Sequence, residues 1–152
     1  MEQMKNVDTF KVVGNWKFET VEKSTGKILD SEEIHNTIMN VGKTRMALLL
    51  NGNSSTYFRA LAVGTGSSNP TDPAQTALGT EVTRSAATLT NGTYTAVFAH
   101  TFTFGGDYAI TEAGIFDSAT VSGSVMLARL VFAAKNVSTT VSLIVTATIT
   151  VS

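Results

Sequence analysis

The chain has 152 residues, no cysteine and a net charge of -1. This length suits one domain that can bury its own core. Without cysteine, disulfides, zinc-thiolate sites and thiol nucleophiles are excluded, and a near-neutral charge provides no basic surface for nucleic acid or an anionic membrane. Only 15% of the residues are charged, whereas roughly a quarter are Ser or Thr. This composition favours strands over helices.

The first 35 residues are the most charged part of the chain. "MEQMKNVDTF" is polar and no apolar segment follows it, so we expect no signal peptide. Two predicted strands, Phe10 to Val21 and "KILDSEE", flank the turn "KSTGK", in which Gly26 can adopt a positive φ. We therefore expect an N-terminal arm or hairpin over residues 1–35, followed by a β-sandwich domain over residues 36–152, the two forming one structural unit.

The segment "NVGKTRMALLLNG" has apolar residues at helical spacing. It predicts one short helix, with Asn40 as the N-cap and Asn51-Gly52 as the stop. Its "GKT" also ends the phosphate-binding motif G-x-x-x-x-G-K-[ST], but the first glycine of that motif would stand where the chain has Thr37. The sequence therefore predicts no nucleotide site.

Strands dominate from Arg59 onward. "RALAVGTG" predicts a buried strand, and "SSNPTDPAQTALG" a long surface loop. "TEVTRSAATLT" and "TYTAVFAHTFTF" predict a hairpin turning at Asn91-Gly92. "AITEAGIFDS", "VMLARLVFAA" and "VSLIVTATITVS" predict three more strands, the last with strict apolar alternation. About eight strands with short turns predict a mainly β fold, a β-sandwich or jelly-roll-like domain with one short helix.

The titratable residues of the sequence do not form a pattern typical of a catalytic or metal-binding site. His35 and His100 lack the partners of a catalytic or metal-binding histidine, so we expect no enzyme, no cofactor and no metal. Glu112 stands in an apolar strand and is expected to be buried with a cationic partner, either Arg84 or Arg129. Such a bridge is structural or joins subunits. Glu81 and Arg84, three apart in an extended run, are expected to face opposite sides and not to pair with each other. These four are structural or interface candidates.

Several stretches resemble one group of proteins. They are "HNTIMNVGKTRMALLLNG", "ALAVGTGSSNPTDPAQTALGTEVTR", "ITEAGIFDS" and "MLARLVFAAKNVSTTVSLIVTATITV". Their landmarks are Gly64-Thr65-Gly66, then Leu78 with Glu81 and Arg84, then Thr111 to Asp117. From His35 to its end the chain resembles virion proteins of tailed bacteriophages, both capsid decoration (cement) proteins and tail-fibre or baseplate-associated proteins.

The resemblance implies an all-β protein that assembles into the virion, often as a homotrimer. Our leading hypothesis is a capsid decoration protein, made in the cytoplasm of a bacterial host, that binds the major capsid protein on the capsid surface and neither nucleic acid nor membrane. The charged stretch Met1 to Asp30 is the candidate contact. A threonine-rich strand face favours this role, since another subunit covers it at little desolvation cost.

Two alternatives remain at this point. A tail-fibre or baseplate protein could bind a host glycan through exposed aromatic residues, for which Trp16, Tyr57, Tyr94 and Tyr108 are candidates. An enzyme, such as a depolymerase fragment, has the least support because no catalytic constellation stands out.

Overall fold

The computed structural model describes residues 10–152. These residues form nine strands and one helix, one strand more than the sequence predicts. In chain order they are β1 (Val12–Glu22), β2 (Ile28–Ile38), α1 (Asn40–Leu50), β3 (Ala60–Gly64), β4 (Glu81–Ala86), β5 (Thr88–Asn91), β6 (Thr95–Phe102), β7 (Tyr108–Phe116), β8 (Met126–Val137) and β9 (Val141–Val151).

The strands form two antiparallel sheets that pack face to face, which confirms the predicted β-sandwich. Sheet A has the order β2-β1-β9-β6-β5, and sheet B has the order β4-β3-β7-β8. The two sheets join where the end of β2 pairs with β8, Thr37 opposite Arg129 and Ile38 opposite Ala128. Beyond these pairs β2 and β8 diverge.

The core lies between the inner faces of the sheets and follows the period-two pattern of the strands. Trp16 and Phe18 of β1 are completely buried, and Phe18 stacks on Phe132 of β8 with ring centroids 4.1 Å apart. Four of the six alternate residues of β9 predicted to face inward, Leu143, Val145, Ala147 and Ile149, are buried. Val141 and Val151, at the two ends of the strand, are only partly buried.

The N-terminal hairpin is confirmed, since β1 and β2 pair antiparallel, with one register shift between Thr20 and Val21, and Gly26 in their turn has a φ of 71°. Along its whole length β1 also pairs with β9, so the hairpin is part of sheet A. The expected boundary between residues 35 and 36 falls within β2. Part of the proposed capsid contact, residues 1–9, lies outside the described residues.

The predicted helix is present, but its N-cap is Met39 and not Asn40, with no side-chain hydrogen bond to the cap. The predicted stop is found, and Gly52 has a φ of 76°. Gly42 lies against the backbone of β8: a Cβ atom built on it would come within 2.7 Å of the Leu127 Cα atom. Gly42-Lys43-Thr44 thus lies inside a helix, where glycine permits close packing.

The hairpin of β5 and β6 is also confirmed, although its turn differs from the prediction. Asn91 pairs with Ala96, which leaves a four-residue turn over residues 92–95. The Gly92 amide donates to the carbonyl oxygen of Thr95 at 3.0 Å and lies 3.1 Å from its hydroxyl oxygen. A two-residue Asn-Gly turn is therefore wrong, because the Thr95 side chain supports the wider one.

The predicted strand "TEVTRSAATLT" is interrupted at Ala87. Its first half is β4 at the edge of sheet B, and its second half is β5 at the edge of sheet A. The Ala87 amide donates to the carbonyl oxygen of Arg59 at 2.8 Å. The chain therefore passes from one sheet to the other within a single residue.

Candidate functional site

The chain itself covers the outer face of sheet B. The long loop, residues 65–80 between β3 and β4, places Leu78 against Ala60 and Ala62 of β3 and Phe116 of β7 in a second, smaller apolar cluster. Met39, just before α1, and Met126 of β8 complete this cluster. This side of the sandwich is closed by packed side chains.

Glu112 anchors the long loop from beneath. One carboxylate oxygen accepts hydrogen bonds from the amides of Gly66 at 2.9 Å and Thr80 at 2.7 Å, and the other accepts from the Gly79 amide at 2.8 Å. Glu112 therefore joins both ends of the loop to the centre of β7, and it is completely buried.

Arg129 is the cationic partner of Glu112. Its Nε and Nη2 donate to Glu112 Oε2 at 3.0 and 2.8 Å, and its Nη1 donates to the carbonyl oxygen of Ser68 at 3.1 Å. The expected buried bridge is present, and it joins two strands of the same chain. The bridge also supports the middle of the long loop.

The surroundings of Glu112 favour its charged form. Burial by itself raises the pKa of this carboxyl, but the hydrogen bonds from the three amides and from Arg129 outweigh burial and hold the pKa below its usual value. Gly64 and Gly66 leave room for this carboxylate, since a Cβ atom on either would come within 2.6 Å of Oε1. The absence of side chains on the two glycines of "GTG" therefore provides the space that the Glu112 carboxylate occupies.

Glu81 and Arg84 pair with each other, so the prediction that they cannot is wrong. Arg84 Nη2 lies 2.7 Å from Glu81 Oε1, and its Nε lies 3.1 Å from Oε2. Thr83 pairs with Val63, but Glu81 pairs with the next residue, Gly64, so β4 has an extra residue at this point. This β-bulge brings two residues three apart onto the same side.

Arg84 also holds the loop between β7 and β8. Its Nη1 donates to the carbonyl oxygen of Ser118 at 3.1 Å and to the hydroxyl of Ser124 at 2.8 Å, and its guanidinium lies 3.7 Å from the Phe116 ring centroid. Glu81, Arg84, Glu112 and Arg129 thus form two intrachain ion pairs. Both pairs fix loops over sheet B.

The ionic contacts of Arg45 and Lys135 were not predicted from the sequence. Arg45 of α1 pairs with Asp117 at the end of β7. Lys135 of β8 reaches across the gap between the sheets to Asp30, at 2.8 Å, and to Glu32 of β2. A lysine in the apolar strand "LVFAAKNV" is the same signal that identified Glu112, and it could have predicted this second buried charge.

The outer face of sheet A is open among the described residues. We call it the threonine face, and its side chains are neutral and only partly buried or exposed. One row runs across four paired strands through Asn15, Thr148, Val97 and Thr90. The members of the face include Asn15, Thr88, Thr90, Thr95, Val97, Ala99, Thr101, Ile144, Thr146, Thr148 and Thr150.

Charges lie at one side of this face only. Lys17 and Glu19 of β1, 3.8 Å apart, and Glu33 of β2 border the face on the side away from β5. His35, also on β2, is exposed beside Asn15. The threonine face is therefore a nearly uncharged surface with an ionic border.

The remaining sequence candidates are separate from one another. His100 contacts the Phe102 ring edge-to-face at 4.6 Å, and burial lowers its pKa. Trp16 is completely buried, which removes it from the glycan candidates, whereas Tyr57, Tyr94 and Tyr108 are exposed. Tyr108 lines a hollow of about 510 Å³ with Asp107, Asn136 and Ser138.

Neither a metal cluster nor a membrane-spanning helix was found in residues 10–152. These residues contain no group of three or more His, Asp or Glu side chains that could hold a metal ion. Their helix is too short to cross a bilayer. No protein-family model matches the chain, and no curated protein or solved structure is significantly similar to it.

Proposed function

We propose that this protein is a structural component of a tailed-bacteriophage virion, a capsid decoration protein that associates with itself and binds the outer surface of the major capsid protein shell. The observation that carries the proposal is the contrast between the two outer faces. Sheet B is closed by the long loop and its buried ion pairs, whereas the threonine face is left open. The resemblance of the sequence to decoration proteins gives the class of partner.

The physical case for binding rests on desolvation. Covering a charged face removes ions from water at a cost of several kcal/mol each. Covering a hydroxyl costs much less, and a partner's backbone or side chains can replace the lost hydrogen bonds with water. Because the rows of the threonine face are aligned across four paired strands, a partner can contact many side chains at once. Such a face supports a stable contact without a deep pocket.

The test is binding to purified expanded capsids of the phage that encodes the chain, measured by co-sedimentation. Thr148→Lys places a charge at the centre of the threonine face and is expected to weaken binding at least tenfold. Thr76→Lys adds the same charge on the exposed long loop and is the matched control. Unchanged binding by Thr148→Lys, or equal loss in both variants, would remove the threonine face from the mechanism.

The hollow at Tyr108 favours a second candidate, a tail-fibre or baseplate-associated protein that binds a host glycan. An exposed aromatic ring beside Asp107 and Asn136 combines a stacking surface with hydrogen-bonding groups, as sugar recognition requires. Electron microscopy of phage particles with gold-labelled protein separates the candidates. Label on the phage head supports the capsid decoration protein. Label on the tail supports the tail-fibre or baseplate-associated protein, provided that the protein also binds a glycan and that Tyr108→Ala abolishes this binding.

A further inference from the structure

The described residues present four free strand edges, and three of them carry features that oppose pairing with another chain. Natural sheets protect their edges with charges, bulges and inward-pointing ions. The edge of β4 has a bulge and the Glu81–Arg84 pair. The other two edges lie where β2 and β8 diverge. The edge of β2 carries Asp30 and Glu32, and the edge of β8 carries Lys135.

The fourth edge, β5, is only four residues long, but it has no charge, bulge or inward-pointing ion. Its residues are Thr88, Leu89, Thr90 and Asn91, all exposed, and they pair with β6 without a bulge. The strand contains no charge, glycine or proline. No strand in residues 10–152 pairs with its other side. Among the described residues, its outward amides and carbonyls therefore have no strand partner.

The surroundings of β5 offer apolar contacts to the same added strand. Leu89 is 41% exposed, Tyr57 53% and Tyr94, in the turn that follows β5, 72%. A hollow of about 280 Å³ lies beside the edge and is lined by Leu49, Tyr57, Leu89 and Asn91 among others. An added strand gains backbone hydrogen bonds and also covers these side chains.

We infer that β5 is the edge through which two copies of this chain associate, pairing antiparallel with β5 of the second copy so that sheet A continues across a two-fold axis. The proposal deepens the self-association in the proposed function and rests on it, but it does not depend on capsid binding.

The second copy fits because the edge is complementary to itself. Antiparallel pairing about a two-fold axis places residues of β5 opposite residues of the same strand in the second copy, which is unfavourable for charged residues and harmless for Thr, Leu and Asn. The nearby cation, Arg59, stacks on Tyr57 of its own chain at 4.2 Å. The exposed parts of Leu89, Tyr57 and Tyr94 form a contact smaller than a standard specific interface, so the association is expected to be weak.

The geometry specifies two copies, whereas the resemblance implies three. We expect sedimentation equilibrium of the wild-type chain to give the mass of a dimer. The protein concentration should be about 0.5 mM, because a contact of this small size is expected to be weak. Thr90→Lys, at the edge, is expected to give a monomer because two lysines would oppose each other. Thr139→Lys, in the exposed turn between β8 and β9, is the control and should remain a dimer. Circular dichroism checks that both variants are folded.

Cross-linking provides a second measurement, since the chain has no cysteine of its own. Thr90→Cys with a short bis-maleimide is expected to give a covalent dimer, and Thr139→Cys, in the exposed turn between β8 and β9, is expected not to. A wild-type monomer or trimer, or a Thr90→Lys variant that remains dimeric, would overturn the inference. If the wild-type chain is a dimer but does not bind capsids, that result counts against the proposed function and not against pairing through β5.

Discussion

Glu112 and Arg129 face each other across neighbouring strands of sheet B, and neither side chain reaches solvent to a significant extent. The arginine shares one carboxylate oxygen with the Gly79 amide, while the other oxygen holds two further amides. The pair therefore links two strands and both ends of a sixteen-residue loop. Its loss would affect all of them together.

Removing the charge of Glu112 should destabilise the fold strongly. Glu112→Gln keeps the shape but leaves the Arg129 guanidinium buried without a counter-ion, so we expect the free energy of unfolding to fall by about 3–5 kcal/mol. Urea denaturation measures the change. Glu33→Gln, at an exposed position, is the control and should change stability by less than about 0.5 kcal/mol. Equal losses in the two variants would contradict a buried bridge.

The Glu112 carboxylate should also make the free energy of unfolding depend on pH in the acidic range. Because folding lowers the pKa of Glu112, its contribution is present above the unfolded-state value of about 4.3 and is lost as the pH falls through the folded-state pKa. The difference in unfolding free energy between wild type and Glu112→Gln should therefore be largest near neutral pH and shrink in acid. A difference that is constant from pH 7 to pH 2 would exclude this linkage.

Lys135 should have the opposite pH dependence. Burial by itself lowers its pKa, but hydrogen bonds to Asp30 and Glu32 and the charges of these carboxylates outweigh burial and raise the pKa. Its contribution is therefore complete below the unfolded-state value of about 10.4 and is lost as the pH rises through the folded-state pKa.

Lys135→Met tests this contribution. We expect a loss of about 1–3 kcal/mol near neutral pH, below the full cost of breaking a buried pair because Asp30 and Glu32 are partly exposed. The loss should disappear in strong alkali. Lys27→Met, in the exposed turn between β1 and β2, should change stability little. If both variants lose the same stability, Lys135 is not a bridge between the sheets.

Gly42→Ala should be destabilising although alanine is the better helix former. The added methyl would meet the Leu127 backbone at 2.7 Å, and overpacking of this kind costs about 1–3 kcal/mol. Thr44→Ala, at an exposed position of the same helix, should be neutral or slightly stabilising. Thermal unfolding of both variants measures the difference, and a more stable Gly42→Ala variant would show that α1 can move away from β8.

The sandwich could be predicted from the sequence where the pattern was local. The alternation in β9 reflects one element and its buried side. The spacing of apolar residues in "VGKTRMALLL" predicted the helix itself, but not which side it buries, since Gly42 is its one buried residue and Leu50 is exposed. The interruption at Ala87 could not be predicted, because the residues on both sides suit a strand equally well. Only the pairing of β4 with β3 and of β5 with β6 separates them.

The ion pairs were partly predictable for a related reason. Burial of Glu112 follows from one charge in an apolar strand, and this signal is independent of the partner. The contact between Glu81 and Arg84 depends on a bulge opposite Gly64, and nothing in "TEVTRS" marks it. Strict alternation fails there because the partner strand, and not the local sequence, determines the register.

The position of β1 between β2 and β9 has a consequence for the order of folding. One of its two ladders forms with a strand more than a hundred residues later in the chain. Closing so large a loop makes folding slow compared with proteins rich in local contacts. During synthesis, one side of β1 therefore waits for β9 to leave the ribosome, and until then its backbone is available to chaperones or to misassembly.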